Sequence, residues 1–439
     1  MESVIRTCGF FWSIADIFVV KYNNAGVSAS RDLRCSRTVA NAKTAFRILV
    51  PLTTAFAFWV LLIYDLIDFF RNSSWLANYL NQQNRVITLM ALFHPAFCVL
   101  RTCLTVVIVL WKSKEIRQHR RNLKVFSISF GISDKTILIA KAWLLLLCVL
   151  LNVIVCIRVV LATIALLNSN FWKVYPWGFF HAPHWIVFVI YSVGTICGGL
   201  IFTSIVTKTL SMTTGVVICC QKLNFAVQEL FDLQQNSLNS HEPETSVQVI
   251  EGLRRCRNLQ EELYNLITEH EDIFNMYFFT VVTSINLTLF SALATLFRPR
   301  TTSLSWANCL LACVFDFVII LMLIIIPARI HEKNAVDVEL AQKLLYRLQS
   351  GCRSLPILSP ERMNSQTAEV ILMQFIQRAV FCPPVLTVGV CVNLSRGFLV
   401  TWCCILFGFI GFLIEKSAEF ESDKAEEVDI ALLCNFTSP

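Results

Sequence analysis

The chain is 439 residues long, 56% hydrophobic and only 15% charged, with 34 Phe, a net charge of +7 and a mean hydropathy of +0.62. Such a composition excludes a soluble globular enzyme and places most of the chain in lipid. The basic residues lie between apolar runs rather than on one face with stacking aromatics, which also excludes a nucleic-acid surface.

Taken in chain order, the first apolar stretch covers residues 8–20, after Arg6. Asp16 lies inside it and no small-residue cleavage site follows, so it predicts an interfacial or cytosolic helix rather than a signal peptide. Seven longer runs are then apolar enough to cross about 30 Å of hydrocarbon. They cover residues 48–70, 86–111, 137–167, 185–207, 273–297, 306–327 and 397–414. The fourth run carries no charge, whereas the third encloses Lys141 and Arg158. The expected fold class is an all-α membrane protein with seven transmembrane helices.

Orientation follows from the basic residues, because short cytoplasmic loops retain Lys and Arg. Of the 37 in the chain, 26 fall in segments 1–47, 112–135, 221–272 and 328–396, and seven fall in the alternate connections and the tail. This predicts a cytoplasmic N-terminus and an extracellular C-terminus. The resulting division is a cytoplasmic segment over 1–47, transmembrane helices one to six with cytoplasmic helical extensions over 48–327, and a cytoplasmic helical segment over 328–396. Transmembrane helix seven over 397–414 and an extracellular acidic tail over 415–439 complete it. Sequons at Asn72 and Asn435 fall on the outer side, as glycosylation requires, while the one at Asn286 lies within a span. Most of the 18 Cys lie in apolar runs or inner segments and read as small core residues, and no spacing among them fits a zinc site.

Apolar residues recur every three or four positions through Val249, Leu253, Cys256, Leu259, Leu263 and Leu266, as on one face of a helix. A polar linker over 236–246 precedes them. Similar stripes run through Val336, Leu340, Leu344 and Leu348, then Ile371, Phe375 and Val380. Periodicity leaves two readings open for these inner helices: packing on the membrane surface, or a cytoplasmic oligomerisation collar.

With these elements placed, the chain resembles the insect-type seven-transmembrane chemoreceptors, gustatory receptors in particular. The resemblance rests on the inverted seven-span order, on the charged helix from Leu253-Arg254-Arg255 to Ile273, and on three short segments before the last span. These are Met373-Gln374-Phe375-Ile376-Gln377, Leu386-Thr387-Val388-Gly389 and Asn393-Leu394-Ser395-Arg396. The family signature in the last helix is Thr-Tyr, five apolar residues, then Gln-Phe. One register here is Thr401-Trp402 to Gly408-Phe409, the other Gly408-Phe409 to Glu415-Lys416, and the distance from Ser395 favours the second.

The resemblance implies a chemosensory receptor acting as a ligand-gated cation channel in the plasma membrane. It also implies a homo- or hetero-tetramer with related receptor subunits, opened by a small-molecule tastant or odorant. In that second register Phe409, Phe412 and Glu415 would line the pore. A non-channel membrane receptor or transporter is the alternative. The Asp-Arg-Tyr and Asn-Pro-x-x-Tyr elements of G-protein-coupled receptors are missing, as is the internal repeat of many transporters.

Ionisable residues in lipid are costly and face the protein interior. His94, Arg158, His184 and Asp316 fall in the middle or outer half of their spans, where with Trp185 and Tyr191 they would form a ligand pocket open to the outside. The structural alternative has Arg158 snorkelling, Asp316 paired with Arg101 or Arg158, and the histidines at headgroup level. His331-Glu332-Lys333 is not a metalloprotease motif, and neither a phosphate-binding glycine loop nor GxSxG occurs. No enzyme activity, catalytic residue, cofactor or metal is therefore expected, and lipid is the surrounding partner.

Overall fold

The structure, a computed structural model, describes residues 94–132, 134–168, 184–240, 243–297, 303–352, 360–389 and 392–436. The expected first span at 48–70, the start of the second and Asn72 lie outside these residues. Eight helices and one short hairpin are described: α1 His94–Trp111, α2 Ser113–Ser129, α3 Asp134–Asn168, α4 His184–Ser240, α5 Pro243–Leu296, α6 Ser303–Cys352, α7 Pro360–Phe381, β1 Thr387–Val388, β2 Val392–Asn393 and α8 Arg396–Phe436.

Three of these helices are far longer than a bilayer is thick. At about 1.5 Å per residue the 57 residues of α4 reach about 85 Å, against about 30 Å of hydrocarbon. Each long helix is therefore divided along its length, one part apolar all round and the other striped. Five described helices are long and apolar enough to span, and Leu100–Trp111 is a shorter apolar piece at the end of the second expected span. The spans expected at 137–167, 185–207, 273–297, 306–327 and 397–414 fall on α3, α4, α5, α6 and α8, and the remaining charged lengths of α4, α5 and α6 lie beyond them.

Register ties the two halves together. Roughly five helical turns separate Arg101 from His119 and also Thr288 from Glu269. Both cross-pairs are bonded, Arg101 to Thr288 and His119 to Glu269, so α1 and α2 follow α5 antiparallel in one line. Helix α3 lies against α4, where Gly199 lets Val155 approach so closely that a Cβ would stand 2.5 Å from its Cγ1.

Outside the membrane, α4, α5, α6 and α7 form a second packed layer. The predicted stripe on α5 is its core face, since Val249, Leu253, Cys256, Leu259, Leu263 and Leu266 are all buried. The polar linker expected over 236–246 is shorter than the sequence suggests. Helix α4 persists to Ser240 and α5 begins at Pro243, whose missing N–H costs nothing at a first helical position. On α6 the stripe holds at Leu344, but Val336 is exposed. On α7 it holds at Ile371 and Phe375 but passes to Ala379 rather than Val380, and Asn334 Nδ2 donates to the Ala379 carbonyl at 3.2 Å.

Two of the short segments before the last span, Leu386-Thr387-Val388-Gly389 and Asn393-Leu394-Ser395-Arg396, meet in a hairpin. Thr387 pairs with Asn393 and Val388 with Val392, and the Leu394 amide donates to the Leu386 carbonyl at 2.8 Å. Gly389 sits at φ +63, where a Cβ would also press within 3.1 Å of the Phe279 ring, so glycine is required twice over. Thr387 Oγ1 donates to Glu271 Oε1 at 2.7 Å and ties the hairpin to α5. The Ser395 hydroxyl then accepts from the Phe398 amide and caps α8.

Candidate ligand site and conduction helix

Within the spans, polar residues recur on one side of α5 at Ser284, Thr288, Ser291 and Thr295, spaced four, three and four apart. The hydroxyls of Ser284, Ser291 and Thr295 donate back to carbonyls three or four residues earlier, which satisfies them inside lipid, whereas that of Thr288 is committed to Asp316. That stripe faces α1 and α6. Arg101 of α1 donates from Nη1 to Asp316 Oδ1 at 2.5 Å and to Thr288 Oγ1 at 3.0 Å, and Thr288 donates to Asp316 Oδ2 at 2.6 Å. Both carboxylate oxygens are thus taken. The guanidinium lies 4.3 Å from the Phe202 ring centroid and 5.7 Å from that of Phe315, and its Nε is buried without a partner among the described residues.

One turn further along α5, the His94 ring nitrogen Nδ1 is 2.9 Å from Ser291 Oγ and 3.2 Å from the Thr288 carbonyl. Arg158, half-buried on α3, reaches Asn308 Oδ1 on α6 at 3.4 Å. Deeper between α3 and α4, the Thr203 hydroxyl donates to Asn152 Oδ1. The network joins His94 and Asp316 through Thr288, with Arg101 as the counter-ion of Asp316. Arg158 stands apart on α3 and does not pair with Asp316. His184, Trp185 and Tyr191 occupy the first turns of α4, and Asn435 the last turn of α8. The sequence reading missed Thr288, Ser291 and Asn308, although the polar repeat on α5 was a usable signal.

Among the described side chains of α8, Trp402, Leu406 and Leu413 are buried. Trp402 Nε1 donates to Asn286 Oδ1 at 2.7 Å, and its ring lies 5.7 Å from that of Phe317. Asn286 is therefore occupied inside the bundle, in keeping with its sequon being a chance match. The three residues read as pore-lining differ in placement. Phe409 packs on Phe290 with ring centroids 4.6 Å apart, whereas Phe412 and Glu415 are exposed. A step of three residues turns about 300°, so each lies about 60° round from the last, and the row drifts off the packed side towards its outer end.

A second polar cluster lies just outside the inner end of α1. His119 Nδ1 is 3.2 Å from Glu269 Oε2, His119 Nε2 is 2.9 Å from His270 Nδ1, and His270 Nε2 is 3.1 Å from Thr213 Oγ1. Both imidazoles are fully buried, and burial holds both pKa values below the ordinary range, His270 well below it. A third cluster joins the inner halves of α5, α6 and α7: Tyr264 Oη donates to Asn334 Oδ1 at 2.6 Å, and Gln260 Nε2 to the Phe375 carbonyl at 3.1 Å. Near it Asn224 Nδ2 donates to Asp337 Oδ1 at 3.0 Å, and burial raises the Asp337 carboxyl to about 7.

No protein-family model and no curated protein sequence matches the chain. Solved structures do. The insect olfactory receptor OR5 from Machilis hrabei in complex with eugenol superposes with a TM-score of 0.61 at 12% identity, over 94% of this chain and 99% of that one. A second structure of the insect olfactory receptor OR5 from Machilis hrabei gives 0.60 at 12% identity, over 94% and 97%. The chain has the fold of an insect olfactory receptor. That fold, with five described helices long and apolar enough to cross a membrane, is the multi-pass helical arrangement that the sequence resemblance implied.

Proposed function

We propose that the protein is a chemosensory receptor of the gustatory type, a ligand-gated cation channel built from four subunits in the plasma membrane. The observation that carries this reading is the thin packing of α8. Only 17% of its apolar window is buried by its own chain, against 67% in α4. A helix of mean hydropathy 2.4 over Arg396–Ala418, held along one narrow side, leaves Cys404, Ile405, Phe407 and Phe412 for neighbours or lipid. In a tetramer with α8 innermost, Phe412 would form an apolar constriction backed by Phe409, and four Glu415 carboxylates would ring the outer mouth and favour cations.

The ligand would be a small organic molecule, tastant or odorant, entering from outside between α1, α3, α4 and α6. In this reading His94, Arg158, His184, Trp185 and Tyr191 contact it, and Asp316 acts through Arg101. The N-terminus is inside and the C-terminus outside, Asn72 and Asn435 carry glycans, and no catalytic, cofactor or nucleic-acid function is assigned.

Two measurements on the full chain test this proposal. Images of the purified particle should show four-fold symmetry, whereas a monomer would favour a non-channel receptor or transporter. In a conducting receptor, Glu415→Gln should lower divalent permeability and Glu415→Lys should shift the reversal potential away from cations. A channel that opens with unchanged selectivity in both variants removes Glu415 from the pore.

A further inference from the structure

Helix α2 continues α1 past Trp111 and has two faces of opposite character. Ile116, His119 and Phe126 are buried against α4 and α5, with Leu123 partly buried beside them. At about 100° per residue, Lys114, Arg117, Arg121 and Lys124 fall within an arc of about 80° on the opposite side. Lys114, Arg121 and Lys124 are exposed, and Arg117 is half-buried with its Nε bonded to the Ser113 carbonyl at 3.1 Å. The one acid of α2, Glu115, is engaged at 2.7 Å by Lys112, so the basic arc has no internal counter-ion from its own helix.

The placement of this arc selects its partner. Trp111 is 71% exposed with the Lys112 ammonium 5.3 Å from its ring, the arrangement of an interfacial anchor. Because α2 follows α5 in register, it leaves the bilayer along the bundle rather than lying on the surface. Lys114 then stands about 5 Å below Trp111 along the axis and Lys124 about 20 Å. A headgroup with a single phosphodiester at the surface meets only the first rung of this ladder. One that stands off the surface and carries several phosphomonoesters meets three or four. Guanidinium groups bind phosphate in bidentate fashion, while lysines add point charge.

We propose that the outer face of α2 binds the polyanionic headgroup of phosphoinositides in the leaflet from which α2 emerges. The inference does not depend on the channel reading. Occupancy on this face would hold α2 against α5, to which its inner face is already joined through His119 and Glu269.

The test uses the full-length protein in neutral detergent, titrated by thermophoresis with dioctanoyl phosphatidylinositol bisphosphate, dioctanoyl phosphatidylserine and dioctanoyl phosphatidylcholine. Binding should fall in that order and weaken steeply with salt. A basic residue near anionic lipid contributes about fivefold in affinity, so Arg121→Gln should cost about fivefold and the Lys114→Gln, Arg117→Gln, Arg121→Gln, Lys124→Gln variant at least a hundredfold. Arg254→Gln with Arg257→Gln, both exposed far down α5, should change it less than twofold. Should the fourfold variant fail to fold, Arg121→Gln decides. Equal affinity for phosphatidylserine, displacement by inorganic phosphate alone, an unaffected α2 variant or an equal loss in the α5 control each overturns the proposal. Such lipids face the cytosol, so in cells the contact also requires the N-terminus inside. The detergent assay is blind to orientation and separates the two failures.

Discussion

Replacing Asp316 by Ala should be among the most damaging single changes in the spans, and the reason can be isolated by also replacing Arg101. Asp316 is 1% exposed and Arg101 5%, so the truncation strands a guanidinium in lipid with only Thr288 and two aromatic rings for company. Stranding one member of a buried pair costs about 3 to 5 kcal/mol, whereas exchanging both for apolar residues of similar volume is often close to neutral. Asp316→Leu, which strands the same guanidinium, and Arg101→Met should therefore each lower the melting temperature of the solubilised protein sharply, while the two substitutions together should recover most of the loss. The implied coupling energy of about 3 kcal/mol or more is read from size-exclusion melts of the four proteins in one detergent. A doubly substituted receptor that falls by the sum of the single losses would refute the pairing as the source of the damage. Ligand-evoked current in the same double variant then separates two roles for Asp316: a restored fold with a restored response means positioning, and a restored fold without one means direct contact with ligand.

Two further outcomes follow from the inner layer. The Asp337 carboxyl is raised by burial to about 7, against an unfolded value near 4, so the fold disfavours its ionised form; the penalty is absent below about pH 4 and grows until about pH 7. Asp337→Asn should accordingly gain on the parent protein as pH rises through that window, by up to about 4 kcal/mol, and a gap between the two melts that does not change with pH would contradict the assignment. Gly252 stands where a Cβ would collide with the Leu230 side chain across α4 and α5, so Gly252→Val should cost about 1 to 3 kcal/mol in the melt, partly recovered by Leu230→Ala in the same chain.

The long-range order of the fold was legible because lipid imposes it. Apolar runs at 137–167, 273–297, 306–327 and 397–414 each became a span-length helix, and the α5 stripe from Val249 to Leu266 became a core face. What sequence could not supply was partner choice. Asp316 had Arg101 and Arg158 as equal candidates by depth in the membrane, and only the approach of α1 to α6 decides for Arg101. The histidine pair was invisible for the same reason, His119 and His270 being 151 positions apart. Local errors had local causes. Val380 outranks Ala379 by hydrophobicity, yet Ala379 is the buried residue, and its carbonyl accepts from Asn334. The hairpin after α7 was not legible as one, since two-residue strands leave no alternation to detect.

The polar network and the thinly held last helix are mechanically adjacent, and this adjacency gives the proposed gating a physical route. On α5, Thr288 serves the ion pair while Asn286, two residues away and so about 200° round the helix, holds Trp402 of α8. On α6, Asp316 serves the ion pair while its neighbour Phe317 lies against the Trp402 ring. A small rotation of either helix about its axis therefore moves the ion pair and the Trp402 seat together, in opposed directions on α5. In the channel proposed above, a ligand that changes how Arg101, Asp316 and Thr288 are arranged shifts the hold on Trp402 with no long chain of intermediates. Because so little of α8 is gripped by its own subunit, altering that one hydrogen bond and ring contact changes a large share of what fixes Phe412 and Glu415 in place.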